Sequence, residues 1–184
     1  MDKEIVKLCK QIEKENNVKI IFAIENGSRA WRMDSKDSDY DVRFVYKREK
    51  DDYLTLTKEK DVINLDKGLI DMSGFDIFKY LELLSGSNPT TIEWLMSDIV
   101  YYGKQPKELR DYAIKHFSEK ALYYHYKSMC KNNYIKYIKS GDLVTYKKYL
   151  YALRGLTNAL YVKKNKTLPP IIFIKAIKVL PIFL

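Results

Sequence analysis

The sequence has 184 residues, 46% of them hydrophobic and 31% charged, and 33 Lys and Arg against 24 Asp and Glu give a net charge of +9. That length predicts one domain or two small ones, and the composition is typical of a globular chain and argues against intrinsic disorder. The two cysteines, Cys9 and Cys130, are too few for a disulfide framework and too far apart for a CxxC site, so we expect reduced thiols in a cytoplasmic protein.

Helix and strand patterns alternate in the first hundred residues. Apolar residues spaced along one helix face predict an amphipathic helix over Asp2–Asn16. Runs rich in β-branched residues predict strands, and capping or turn residues mark the ends of elements. The predicted elements that follow are strand 18–24, a short helix capped by Ser28 and reaching Trp31, strand 40–46, strands 61–65 and 69–72 around a turn at 66–68, and helices 76–84 and 90–96. Ser73 and Gly74 are expected to end the strand that begins at residue 69.

The second part of the chain is predicted to be helical. From residue 108 to 163 the pattern is helical almost throughout, with a split near residues 140–142. The prediction is therefore an α+β part over residues 1–100 and an all-α domain over residues 101–184. The first 25 residues lack the apolar core of a signal peptide. The tail 168–184 is too interrupted by proline and lysine to span a bilayer, so we expect no membrane partner.

Three aspartates carry the predicted chemistry. Asp39 and Asp41 are two residues apart at the start of a strand, so their carboxylates lie on the same face. Such a pair is repulsive unless cations lie between the two groups, and hard oxygen ligands of this kind suit Mg²⁺ or Mn²⁺. Asp71, on a neighbouring predicted strand, is the candidate for a third carboxylate of a two-metal site.

A second group of residues is suited to phosphate. Gly27 and Ser28 follow a buried strand and offer backbone N–H groups and a hydroxyl at a helix N-terminus. Arg29 and Arg43 are the nearest cations in the sequence. Arg29 is a candidate to reach a triphosphate, whereas Arg43 shares the strand face of the two aspartates. For both arginines, a ligand contact and a structural ion pair are equally open.

These motifs resemble the nucleotidyltransferase superfamily of DNA polymerase beta. The residues that carry the resemblance are Gly27–Ser28, the stretch Asp39-Tyr40-Asp41-Val42 and the stretch Ile70-Asp71-Met72. The segments GSRAW, SDYDVRFVY, IDMSGFDIFKYL and SNPTTIEWLMSDIVY are more narrowly similar to the family that includes RNA-ligase-associated RNA-repair polymerases. The resemblance covers residues 20–170, roughly. It implies a nucleotidyltransferase core with a mixed sheet over residues 1–100, followed by an all-α domain.

The resemblance also implies roles for individual residues. Gly27 and Ser28 would hold the β- and γ-phosphates of a nucleoside triphosphate (NTP). Asp39 and Asp41 would bind both metal ions, Mg²⁺ or Mn²⁺, and Asp71 would bind the one that activates the attacking hydroxyl. The reaction implied is transfer of a nucleoside monophosphate to a hydroxyl acceptor with release of pyrophosphate.

Three points depart from this scheme or leave it open. Asp76 is the alternative third metal ligand, although a helix N-cap is its favoured role. The family usually has glycine after the tryptophan, whereas Arg32 follows Trp31 here, which predicts a different loop or an added phosphate contact. The family also resembles longer proteins, so a truncated or frame-altered C-terminus is one interpretation of where the chain ends.

The charge of the chain is concentrated in its second part. Residues 101–184 have a net charge of +13, against −4 for residues 1–100, which predicts phosphate-rich partners. Nine tyrosines lie between residues 121 and 161 with lysines among them, and such aromatic rings stack on bases. The candidates for contact with the base and phosphates of the NTP are Lys147, Lys148, Tyr149 and Arg154.

Three functions remain open at this point. The first is a polymerase or terminal nucleotidyltransferase that acts on RNA 3′ ends, with an RNA ligase as the partner that the resemblance implies. The second transfers a nucleotide to a protein or small molecule, as minimal nucleotidyltransferases of toxin–antitoxin pairs do. The third is a nucleotide- or RNA-binding module without activity. The charge of residues 101–184 favours the first, and the intact Asp39, Asp41 and Asp71 argue against the third.

Overall fold

The computed structural model describes residues 1–57, 59–139 and 145–179. Its five strands form one sheet in the order β3-β4-β2-β1-β5, in which only β2 and β4 pair in parallel. The strands are β1 (Lys19–Glu25), β2 (Tyr40–Lys47), β3 (Val62–Lys67), β4 (Ile70–Asp76) and β5 (Val100–Gly103). The helices are α1 (Asp2–Asn16), α2 (Gly27–Ala30), α3 (Ile77–Ser85), α4 (Pro89–Met96), α5 (Lys107–His116), α6 (Glu119–Asn133), α7 (Tyr146–Asn165) and α8 (Phe173–Val179). A 3-10 turn (Lys50–Tyr53) and a turn of π-helix (Tyr134–Ile138) complete the described elements.

The sheet has a hydrophobic core on each face. On one face, α1 buries its apolar stripe against Val42, Phe44 and Tyr46 of β2. On the other face, Phe22, Ile24 and Val45 join a cluster built from α3, α4, α5, α6 and α7. Because side chains alternate along a strand, Asp41, Arg43 and Asp71 lie on this second face, toward the helices.

The structure confirms the predicted α+β class and most of the predicted elements. The helix α1 has the predicted bounds because Ile5, Leu8, Cys9 and Ile12 are all buried on one face. The predicted end of β4 at Ser73–Gly74 is wrong, because the strand continues to Asp76 in register with β2. Gly74 lies so close beneath the Phe44 ring that a Cβ would come within 2.1 Å of it. Glycine at this position allows close packing and does not end the strand.

Two further details differ from the predictions. Ser28 is not the cap of the short helix α2, because the N-cap is Asn26 and both Gly27 and Ser28 lie within the helix. The strand β5 is absent from the predictions, although Tyr101 and Tyr102 are typical strand residues. It pairs antiparallel with β1 and closes one edge of the sheet.

The second part of the chain begins with the last residues of β5, and from Lys107 onward its elements are helices in the residues that the structure describes. The predicted split at 140–142 lies outside the described residues. Leu122 and Tyr126 of α6 and Val162 of α7 belong to the same core as Tyr80 and Trp94 of α3 and α4. The division into domains at residue 100 therefore stays a prediction. None of the described helices combines the length and the apolar character needed to cross a membrane.

Candidate active site

Two of the predicted aspartates lie side by side at the start of adjacent parallel strands. Asp41 of β2 is the register partner of Asp71 of β4. Both side chains are partly accessible, with 31% of Asp41 and 50% of Asp71 exposed. Asp76 lies five residues farther along β4 and is the register partner of Tyr46. At the usual rise of a strand, five residues separate Asp76 from Asp71 by about 16 Å. The parallel pairing of β2 and β4 thus joins Asp41 with Asp71.

A guanidinium bridges the two carboxylates. Arg43 Nη2 donates to Asp71 Oδ2 at 2.8 Å and to Asp41 Oδ1 at 3.3 Å. Its Nη1 donates to the backbone carbonyl oxygens of Val42 and Asp71. Of the two roles open for Arg43 in the sequence, the structure therefore shows the ion pair. A positive charge between two carboxylates reduces their mutual repulsion.

The backbone of Gly27 lies against the Asp41 carboxylate. Gly27 has a φ of +63°, a left-handed conformation that glycine adopts without strain. A Cβ on this residue would lie 1.9 Å from Asp41 Oδ2. The next residue, Ser28, is 3% exposed. Glycine is therefore required here for both its conformation and its size, and it brings backbone amide groups close to the carboxylate.

Glu25 is a buried acid behind Asp41 that the sequence analysis missed. It ends β1, is fully buried, and accepts hydrogen bonds at Oε1 from the Asp41 N–H (3.0 Å) and at Oε2 from the Tyr101 hydroxyl (2.6 Å). Ser97 Oγ donates to its backbone carbonyl oxygen. Burial raises the pKa of Glu25 to about 7, although the hydrogen bonds from the Tyr101 hydroxyl and the Asp41 N–H oppose the shift. The signal in the sequence that could have identified Glu25 is its position as an acidic residue directly after the apolar run of β1.

The electrostatics of Asp41 suit a bound cation. Burial is the main cause that raises the pKa of its carboxyl, and the nearby Asp71 and Asp39 raise it further. The Arg43 guanidinium and the Lys147 ammonium oppose the shift. Within residues 1–57, 59–139 and 145–179, no three His, Cys, Asp or Glu side chains are close enough to form a metal site as they stand. The Asp41 and Asp71 oxygens are nevertheless the hard donors that Mg²⁺ or Mn²⁺ requires.

Arg29 holds the loop that carries Asp39. Its guanidinium donates to the backbone carbonyl oxygens of Ser38 (2.6 Å) and Asp39 (3.2 Å) and lies 3.9 Å above the Tyr40 ring. Asp39 itself is exposed at the end of this loop, one residue before β2. The structure thus gives Arg29 a structural role, and the side chain of Asp39 is accessible to solvent.

Asp76 occupies the N-cap of α3, the role favoured for it from the sequence. Its Oδ1 accepts from the Phe78 N–H at 2.9 Å, and its Oδ2 accepts from the Tyr53 hydroxyl at 2.8 Å. The side chain is therefore engaged at the opposite end of β4 from Asp71. This arrangement supports Asp71 as the candidate third ligand.

The four candidates of the second part lie in different environments. Lys147 is near enough to lower the pKa of Asp41, and its ammonium lies 5.9 Å from the Tyr151 ring centre. Lys148 lies over the Tyr137 ring instead, and Tyr149 is half-exposed. Arg154 is 3% exposed, ion-paired with Glu93 and stacked 3.7 Å from the Trp31 ring centre. Lys147 is thus one of the charges that act on Asp41.

Arg32 replaces the glycine that the family usually has after the tryptophan. It adopts a φ of +57°, the left-handed conformation that favours glycine, so the turn forms with arginine in place. Its guanidinium makes two hydrogen bonds with Asp98, at 3.0 and 3.1 Å. In this structure Arg32 is therefore paired with a carboxylate and not directed at the Asp41–Asp71 pair.

Comparison with known proteins identifies the family. A structure of a nucleotidyltransferase-like protein from Exiguobacterium sibiricum 255-15 is similar over 94% of this chain and 62% of that one, at 13% identity and a TM-score of 0.38. That score is too low to support a conclusion. The YcgL protein of Bacillus subtilis strain 168, described as uncharacterized, is 42% identical over 176 residues, which is 94% of this chain and 67% of YcgL. The model of RlaP, the RNA repair pathway DNA polymerase beta family, matches residues 1–181. The chain therefore belongs to the RNA repair pathway DNA polymerase beta family.

Proposed function

We propose that this protein is a nucleotidyltransferase that transfers a nucleoside monophosphate from an NTP to the 3′ hydroxyl of an RNA and releases pyrophosphate. The observation that carries the proposal is the register pairing of Asp41 with Asp71, on the sheet face that also carries Arg43. Family membership supports nucleotidyl transfer in the context of RNA repair. The net charge of +13 in residues 101–184 supports a polyanionic acceptor.

Asp41 and Asp71 would hold the divalent cations, Mg²⁺ or Mn²⁺, with Asp39 as a further ligand from the preceding loop. The cations supply, when bound, the charge that stabilises an in-line displacement at the α-phosphorus. In the absence of the cations, Arg43 holds the two carboxylates close together, because its guanidinium bridges both. If a cation took the position of this guanidinium, Arg43 would give up one or both contacts.

Gly27 and Ser28 would orient the triphosphate. The Gly27 backbone lies against Asp41, so phosphate oxygens held there would be next to the carboxylates. Lys147, whose charge acts on Asp41, would neutralise part of the charge of the triphosphate. The basic surface of the helices would hold the RNA backbone, and the exposed Tyr124 and Tyr134 are candidates to stack on its bases. An RNA ligase remains a proposed partner, implied by the family resemblance.

A labelling experiment tests this function. The protein is incubated with each α-labelled NTP, with Mg²⁺ or Mn²⁺, and with RNA, DNA and no added acceptor. We expect labelled, lengthened RNA from the wild-type protein. Asp41→Asn and Asp71→Asn should each lower the rate by more than about a hundredfold, because even the residues that only support metal ligands cost about 10- to 100-fold when replaced.

The matched control is Asp111→Asn on α5, an exposed aspartate paired with Lys107. The same change at this position should leave the rate within about twofold of the wild type, since exposed pairs of this kind contribute little. Label on the protein itself would contradict RNA as the acceptor. No transfer with any acceptor, or full activity of Asp41→Asn, would contradict nucleotidyl transfer at this site.

A further inference from the structure

A cavity of about 290 Å³ lies beside the candidate active site. It is lined by the two residues that flank α2, Asn26 and Trp31, and by residues of α4, α6 and α7. Six of the lining residues carry its chemistry: Asn26, Trp31, Glu93, His125, Tyr151 and Arg154. Its volume is at the lower end of the range for small-molecule sites, which start near 300 Å³, roughly. A single ring system fits a space of this size.

The cavity is adjacent to the carboxylates. The backbone N–H of Asn26 donates to the Asp41 carbonyl oxygen at 2.8 Å. Burial is the main cause that raises the pKa of the Tyr151 hydroxyl, and the nearby Asp41 carboxylate raises it further. Lys147, one helical turn before Tyr151 on α7, also acts on Asp41. A ligand held at Asp41 and Gly27 by its phosphates can therefore extend its other end into the cavity.

The walls of the cavity suit a flat, uncharged group. The Trp31 and Tyr151 rings meet edge to face with their centres 5.8 Å apart. Arg154 stacks on Trp31, but Glu93 neutralises its charge. Trp31 Nε1 and the Tyr126 hydroxyl also donate to Glu93, so that carboxylate has its partners already. Burial lowers the pKa of His125, which favours its neutral form. Aromatic and charge-balanced walls favour a heterocyclic base over a phosphate.

One polar atom at this site has no partner. Asn26 Oδ1 is buried and accepts no hydrogen bond from the part of the chain that the structure describes. A buried carbonyl oxygen without a donor is unfavourable, and a ligand N–H would remove that cost. Among the nucleobases, adenine and cytosine carry an exocyclic amino group where guanine and uracil carry a carbonyl oxygen.

We propose that this cavity holds the base of the NTP and that Asn26 Oδ1 accepts a hydrogen bond from the exocyclic amino group of adenine or cytosine. This inference rests on the proposed function and adds a base preference to it. The protein would bind ATP and CTP more tightly than GTP and UTP. At the same position guanine and uracil present a carbonyl oxygen. This oxygen and Asn26 Oδ1 are both acceptors, so they repel each other and form no hydrogen bond.

The test compares the dissociation constants of the four NTPs and of inorganic tripolyphosphate, measured by calorimetry with Mg²⁺. In the wild-type protein ATP and CTP should bind most tightly. Asn26→Ala should weaken both by about three- to tenfold, the usual loss for one neutral hydrogen bond. The same variant should leave the dissociation constants of GTP, UTP and tripolyphosphate unchanged. An unchanged affinity for tripolyphosphate also shows that the variant is folded. Asn132→Ala, an exposed asparagine of α6, is the matched control and should change none of the five.

A second variant fills the cavity. Met129 lines the cavity, so Met129→Trp should weaken the binding of all four NTPs and leave the affinity for tripolyphosphate unchanged. Equal affinity for the four NTPs in the wild-type protein, or an equal loss of all five ligands in Asn26→Ala, would overturn the base pocket. If RNA is still labelled in that case, the proposed function stands without the pocket. If neither the NTPs nor tripolyphosphate bind the wild-type protein, both are overturned.

Discussion

At Asp41 the backbone and the side chain serve two separate networks. The carboxylate meets Arg43 and the backbone of Gly27 on the accessible side. The backbone N–H is bound by buried Glu25, and the carbonyl oxygen accepts from the Asn26 N–H. The strand start is thus held from behind while the carboxylate stays available. This is the arrangement that a preorganised metal ligand requires.

Replacing Gly27 tests how closely Asp41 is positioned. Gly27→Ala introduces a Cβ that overlaps Asp41 Oδ2, so we expect a loss of activity of about a hundredfold from the displaced carboxylate. Gly68→Ala is the matched control, because Gly68 has nearly the same φ, +64°, and nothing within 4 Å of the added Cβ. It should cost only about 1–2 kcal/mol of stability, from left-handed strain, and keep full activity. Equal activity of the two variants in the labelling assay would contradict the prediction.

Glu25 gives the stability a pH dependence. Its folded pKa of about 7 lies above its ordinary value of 4.5. The folded state therefore holds a proton that the unfolded state has lost between these two pH values. The contribution of Glu25 to the free energy of unfolding is greatest below pH 4.5 and falls as the pH rises from 4.5 to 7. Above pH 7 it stays at the lower value. The total loss is about 3 kcal/mol.

Urea unfolding from pH 4.5 to 8, in buffer without metal ions, measures this effect. Glu25→Gln stays neutral, so its free energy of unfolding should fall less than that of the wild type across the window. Glu4→Gln, at an exposed glutamate of α1, is the control and should follow the wild-type curve. Parallel curves for Glu25→Gln and the wild type would show that Glu25 does not titrate in this range.

At the scale of elements, β4 separates the two aspartates that compete as the third ligand. Asp71 starts the strand beside Asp41, whereas Asp76 ends it and caps α3. The two side chains therefore have different neighbours although they are only five residues apart.

The α3 cap provides a test of this separation. Asp76→Ala removes the acceptor for the Phe78 N–H and should cost about 1–2 kcal/mol of unfolding free energy. Asp76→Asn keeps a good capping residue and should cost less. Both folded variants should retain transfer activity within about twofold, whereas Asp71→Asn should lose it. Loss of activity in Asp76→Asn, at a melting temperature near that of the wild type, would make Asp76 the metal ligand instead.

At the scale of the whole molecule, charge is separated along the chain. Residues 1–100 have a net charge of −4 and residues 101–184 have +13. The acidic aspartates of the sheet therefore face helices from the basic part, with Lys147 at their meeting point. A field of this kind attracts a polyanion toward the carboxylates.

The affinity for single-stranded RNA should consequently depend on salt. If about four phosphates are contacted, a slope of about −0.7 per contact gives roughly a fiftyfold loss of affinity between 50 and 200 mM KCl. Fluorescence anisotropy with a labelled RNA measures this loss. An uncharged peptide nucleic acid of the same sequence is the control and should show no such slope. A salt-independent affinity for RNA would contradict electrostatic binding by residues 101–184.

The sequence patterns correctly predicted those elements whose buried residues form a regular pattern within the element itself. The helix α1 has its predicted bounds because its apolar residues form one stripe. The predicted end of β4 was wrong because Gly74 makes room for the Phe44 ring and does not end the strand. Phe44 is 30 residues away in the sequence and contacts Gly74 only across the sheet. The strand β5 was missed because it has only four residues and its hydrogen-bond partner, β1, is distant in the sequence.

The order and spacing of the candidate site can be read from the amino-acid sequence: a Gly-Ser turn after a buried strand, two aspartates that share a strand face, and a third on a later strand. These features depend on the two-residue period of strands, which is local. That Asp71 and not Asp76 is the neighbour of Asp41 follows from the folded structure, because strand register is set by long-range pairing. The folded structure alone pairs Arg154 with Glu93, and only folding brings buried Glu25 next to Tyr101 and the Asp41 backbone.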